Sequence, residues 1–85
     1  MKNKVIVKIS VPEIDMDYDV YLPINLKIGN IINLLNKTIN QLSNGEYKLS
    51  KNNSLYNAIT KEKYTSDVLL YNTNIRNGTK LILIS

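Results

Sequence analysis

Glu13, Asp15, Asp17 and Asp19 set four carboxylates at alternate positions, and Asp15-Met16-Asp17-Tyr18-Asp19 opens like a calcium-binding loop. In such a loop alternate acidic oxygens converge on one hard cation, which also requires a glycine at the sharp turn and a bidentate glutamate at the far end. Val20 and Leu26 stand at those two places. No metal site is therefore expected, and the carboxylates read as the solvated edge of a hairpin or as a charged patch for a basic partner. The rest of the inventory is restrictive. The chain has no Cys and no His, so it lacks a thiolate nucleophile, an imidazole base, a disulfide and a zinc site of the usual ligand types. The remaining carboxylates, lysines, tyrosines and hydroxyls form no catalytic cluster. A non-enzymatic protein without a cofactor or small-molecule substrate is expected.

The formal charge of +4 comes from 11 Lys and Arg against 7 Asp and Glu. The cations, from Lys2 to Lys80, are spread along the chain without a run or a helical stripe, and Arg76 is the lone arginine. Specific base readout relies on Arg forks and stacked aromatics, so nucleic acid is not the expected partner. The apolar run Leu81 to Ile84 falls far short of the roughly 20 residues of a membrane helix. Lys4 and Lys8 interrupt any signal-peptide core near the start. These features point to the cytoplasm, and 85 residues with 44% apolar content suit one domain, residues 1–85, with one thin core.

The periodicity then supplies the elements. Lys4 to Ile9 alternates with Val5, Val7 and Ile9 on one face, and Tyr18 to Ile24 alternates with Tyr18, Val20, Leu22 and Ile24 inward and Asp19 and Tyr21 outward. Pro12 ends the first strand, so the two form a hairpin with Lys4 or Lys8 facing Asp19. From Ile28 the period lengthens. Ile28, Ile31, Ile32, Leu35, Ile39 and Leu42 recur at threes and fours, with Asn30, Asn33, Asn36, Lys37, Asn40 and Gln41 on the opposite side, which predicts an amphipathic helix closed at Ser43-Asn44-Gly45. Glu46 to Ser50 reads as a short strand with Tyr47 and Leu49 on one face. Leu55-Tyr56 forms a very short strand and Lys61 to Asp67 is irregular. Asn77-Gly78 supplies a turn before a final strand, Thr79 to Ile84.

That order leaves few compact arrangements. The helix crosses the sheet after the first hairpin, and the final strand returns parallel to the first. The expected fold is α+β, a β-grasp with a mixed sheet of four to five strands and one helix packed across it. Leu81 and Leu83 face one way in the last strand, Ile82 and Ile84 the other, although a strand with water on one side should not be apolar on both. Either another segment covers Ile82 and Ile84 or they meet a partner, in which case Ile6 and Tyr21 extend the same outer face.

The stretch Val68 to Leu83, with Asn74-Ile75-Arg76-Asn77-Gly78-Thr79-Lys80-Leu81 inside it, resembles the tail pattern of ubiquitin-like proteins. Val5, Val7, Val20, Leu22, Ile28, Ile31 and Leu35 match the spacing of their core. Through Tyr18-Asp19-Val20-Tyr21-Leu22-Pro23 and Ile28-Gly29-Asn30-Ile31-Ile32-Asn33-Leu34-Leu35 the chain looks most like the YukD/EsaB-like proteins of bacterial type VII secretion systems. The resemblance implies a non-conjugated accessory or regulatory role, with a membrane subunit or ATPase of the machine as protein partner, recruitment to the inner face of the membrane through that partner, and room for a homodimer. Ubiquitin-like sulfur carriers and modifiers act through a C-terminal Gly-Gly carboxylate; Leu83-Ile84-Ser85 stands here instead, which argues against conjugation and sulfur carriage.

Overall fold

The computed structural model describes residues 3–85. Strand β1 spans Lys4–Val11 and β2 spans Met16–Pro23. The helix α1 covers Ile28–Leu42, β3 covers Ser54–Asn57 and β4 covers Lys80–Ile84. The strands lie in the order β2-β1-β4-β3. β1 pairs antiparallel with β2, and β4 runs parallel to β1 and antiparallel to β3. This is the mixed sheet and single helix of a β-grasp.

The hairpin is longer than its alternation suggested, because Val11 pairs with Met16 and only a single 3-10 turn, Pro12–Ile14, lies between the strands. Asp15 closes that turn in the left-handed region at φ 53, a conformation that Asp tolerates better than bulkier side chains. The sheet's inner face is Val5, Val7, Ile9 and Val11 from β1, Leu22 from β2, Leu55 from β3, and Leu81 and Leu83 from β4. Ile28, Ile31, Leu35 and Ile39 of α1 lie against it. Each such side chain removed from water contributes about 1.5–3 kcal/mol, which holds a helix whose Gly29 and many Asn residues are weak helix formers. Leu42, expected on the apolar stripe, is 54% exposed. It is the last residue of α1.

Glu46 to Ser50 is not a strand, and among the described residues the sheet has four strands, the lower of the four to five expected. Tyr47 is fully buried while Leu49 is 62% exposed, so the two do not share a face. The reason lies in the helix. Asn40 Nδ2 donates to the Tyr47 carbonyl at 2.8 Å and Asn36 Nδ2 donates to the Ser50 carbonyl at 2.6 Å. Ser43 Oγ accepts the Tyr47 N–H at 2.9 Å. Backbone groups that would have entered a ladder are thus satisfied by side chains of α1. Asn36, assigned by its spacing to the solvent side, is in fact buried; it sits one helical turn before Asn40 and works with it as a clamp.

The start of α1 carries no side-chain cap. Instead the Ile28 and Gly29 N–H groups donate to the Val68 and Ser66 carbonyls at 2.9 and 3.0 Å. Two of the orphan donors of the first turn are therefore satisfied by the loop that precedes a second 3-10 turn, Leu70–Asn72. A Cβ at Gly29 would sit 3.4 Å from Ser66 Cβ and O, in ordinary van der Waals contact with the loop it meets. A second polar knot ties the far loops together: Asn57 Nδ2 donates to the Tyr64 hydroxyl at 3.0 Å, and that hydroxyl donates to Asn74 Oδ1 at 2.7 Å.

Candidate interaction face

Strand register determines which side chains become neighbours on the outer face of the sheet. Ile6 lies opposite Tyr21. Beyond β1 on that level, Gly78 N–H donates to the Ile6 carbonyl at 2.8 Å and Asn77 Oδ1 accepts the Ile6 N–H at 2.9 Å, so the turn continues the ladder before β4 begins. The next level runs Asp19, Lys8, Lys80, ending at Ala58, whose N–H donates to the Lys80 carbonyl at 2.9 Å. The third level runs Asp17, Ser10, Ile82, Tyr56. On the last level Ile84 lies opposite Ser54.

The residues expected to form one face therefore fall into two groups. Ile6 and Tyr21 form a pair on the hairpin, 37% and 55% exposed. Ile82 and Ile84 stand together on β4, Ile82 half-buried and Ile84 42% exposed. The charged level of Asp19, Lys8 and Lys80 separates them. Tyr56, cross-strand to Ile82, belongs to the second group and was missed by sequence reasoning. Its signal was present in the alternation of β3, where Leu55 and Asn57 are buried and Tyr56 points the other way. The expected strand Glu46 to Ser50 lies off the sheet, and on the outer face Tyr56 and Ser54 of β3 stand beside β4.

The acidic residues do not gather. Asp17 and Asp19 stand outward on β2, Asp15 closes the 3-10 turn, and Glu13 Oε1 accepts hydrogen bonds from the N–H and hydroxyl of Ser85. Among the described residues no three carboxylates are placed to hold a metal ion. A surface cleft of about 400 Å³ is lined by Ile32, Asn53, Ser54, Lys63, Tyr64, Thr65 and Ser66; hydroxyls, an amide and one cation meet there without a carboxylate. Among the described residues no helix is long and apolar enough to cross a membrane.

One titratable group is perturbed. Burial raises the Tyr47 phenol above its ordinary value, the negative charge of Glu13 raises it further, and a hydrogen bond from Asn53 Nδ2 opposes both. The unfolded chain then gives up this proton at lower pH than the folded one. The stability contribution is complete below the ordinary tyrosine value near 10 and is lost as pH rises through the folded value. Urea unfolding of the wild-type chain is expected to weaken above pH ~10, and Tyr47→Phe is expected to flatten that part of the profile. An identical alkaline slope in both proteins would remove Tyr47 as its source.

No protein-family model matches the sequence, and no curated protein matches it. Solved structures do. A chain of the MycP5-free ESX-5 inner membrane complex superposes at TM-score 0.79 with 18% identity, over 96% of this chain and 21% of that one; the chain thus spans about a fifth of that larger subunit. The ubiquitin-like domain of the Mycobacterium tuberculosis type VII secretion system protein EccD1 superposes at TM-score 0.75 with 13% identity, over 96% of this chain and 98% of that domain. An Arabidopsis thaliana ubiquitin-like domain, that of At2g32350, follows the same path at TM-score 0.64 with 14% identity, over 96% of this chain and 77% of that one. Helix over a β2-β1-β4-β3 sheet, with parallel central strands and this shared path, gives the chain the ubiquitin-like β-grasp fold.

Proposed function

We propose that this chain is a non-catalytic protein-interaction domain of a bacterial type VII secretion system, a small accessory or regulatory component of the YukD/EsaB kind. It works in the cytoplasm, reaches the inner face of the membrane through a partner, and binds that partner, a membrane subunit or ATPase of the machine, with the outer face of its sheet. The observation that carries this reading is the apolar ground of exposed Ile84 beside half-buried Ile82 and Tyr56 on the outer face of a β-grasp sheet whose inner face is already filled. Apolar and aromatic side chains at the centre of a patch are what anchor protein interfaces. The likeness to domains of secretion complexes supports the choice of system.

The test is affinity capture of the tagged chain from its own cells, membranes included, beside the Ile82→Ser/Ile84→Ser double variant. Recovery of secretion subunits by the wild-type chain is expected, with at least about a tenfold loss in the variant, because interface anchors carry upward of ~1.4 kcal/mol each. Recovery of an adenylating enzyme or of nucleic acid in their place would overturn the reading.

A further inference from the structure

Lys8 and Lys80 lie directly opposite each other on the parallel strands β1 and β4, and both are exposed. Like charges facing across strands destabilise a sheet. Lys8 has a carboxylate on its other side, since Asp19 is its partner on β2. Lys80 has none, because its neighbour on the β3 side is Ala58. The second-next residue along β4 is Ile82, about 7 Å further on, where the apolar ground of Ile82, Tyr56 and Ile84 begins. The face thus runs from an acidic edge at Asp17 and Asp19 through a basic centre to an apolar side, with the exposed Lys63 bridging to Tyr56 at its outer end.

We infer that the partner segment taken by this face is acidic as well as apolar: it sets a carboxylate between Lys8 and Lys80 and lays an apolar side chain against Ile82, Ile84 and Tyr56. This rests on the proposed use of the same face. A carboxylate at that point neutralises the lysine pair and accepts charge-assisted hydrogen bonds from both ammonium groups. The ~7 Å separation of charge and apolar contact matches two residues of a strand, and the ~6 Å rise over four residues of a helix brings an i, i+4 pair within about 1 Å of it. Asp17 and Asp19 repel the same segment from the β2 edge, which leaves it the β4 and β3 side and sets its orientation.

The experiment titrates the isotope-labelled chain at low salt with two synthetic helical peptides of one Leu/Ala scaffold. One carries Glu a turn away from Leu and its twin carries Lys there; a single-stranded oligonucleotide is the third probe. The Glu peptide is expected to move the amide resonances of Lys8, Lys80, Ile82 and Ile84 and to bind at least about tenfold tighter than the Lys twin, an advantage that shrinks as salt rises. Lys8→Glu/Lys80→Glu is expected to reverse the preference, and Ile82→Ser/Ile84→Ser to lose both peptides, each variant first checked for native folding. Equal binding of the two peptides at this face would overturn the acidic partner while leaving the interaction face standing. Binding of neither peptide here, or an oligonucleotide that displaces the Glu peptide, would also overturn it, and in the former case retention of the captured subunits by Ile82→Ser/Ile84→Ser would remove the face itself.

Discussion

Leu81→Ala is expected to cost about 2–5 kcal/mol of stability, whereas Ile84→Ala, on the same strand, is expected to cost less than about 1 kcal/mol. Leu81 is fully buried between the sheet and α1, and its strand pairs with β1 on one side and β3 on the other. Truncation there removes apolar contact on every side and leaves a cavity that two central strands cannot close. Ile84 is 42% exposed and has Ser54 as its cross-strand neighbour, so solvent fills the space its side chain vacates. A domain of this length has a total stability of roughly 4–13 kcal/mol, and the loss at Leu81 is a large part of it. Urea unfolding with an unchanged slope reads the difference as a shift in midpoint. Comparable losses at the two positions would mean that Ile84 is core, and the interaction face would go with it.

The second large effect lies off the sheet. Asn36→Ala is expected to destabilise the chain by about 1–3 kcal/mol, the range for stranding buried polar partners. It takes the donor from the Ser50 carbonyl and from Asn53 Oδ1, which Asn36 Nδ2 reaches at 2.6 and 2.9 Å. One gain offsets part of this, since Asn36 Oδ1 is itself buried without a hydrogen-bond partner and leaves with the side chain. The loss should be local in character. Within residues 46–53 the Tyr47 N–H and the Tyr47 and Ser50 carbonyls are held by side chains of Ser43, Asn40 and Asn36, so cleavage by a protease inside that segment should rise more than global unfolding predicts. Hydrogen exchange confined to the global rate in the variant would show that the clamp is dispensable.

This clamp marks where sequence reasoning reached its limit. Tyr47 and Leu49 alternate as strand residues do, and nothing in the alternation reveals that the strand's hydrogen-bond partner is a row of helix amides. Asn36 and Asn40 read as solvent-facing because their type is polar, yet one turn apart on α1 they match the spacing of carbonyls in the segment folded against them. The helix start followed the same logic. Its donors go to Ser66 and Val68, far along the chain, so no local capping residue announced it. Tyr56 was readable as part of a short strand, but its meeting with Ile82 depends on the β3 and β4 register.

Hydrophobic periodicity determined the hairpin strands and the amphipathic helix, because period two and period 3.6 each place an apolar face in one way. The order of those elements with the rules for crossover connections then led to the parallel return of the last strand and the β-grasp. Periodicity also determined that Leu81 and Leu83 oppose Ile82 and Ile84. Tertiary structure alone decided which outward residues become neighbours: Lys8 beside Lys80, Ile82 beside Tyr56, and Ile6 with Tyr21 set apart from both. Those contacts join strands that are distant in sequence, and a shift of register by a single residue would exchange every one of them.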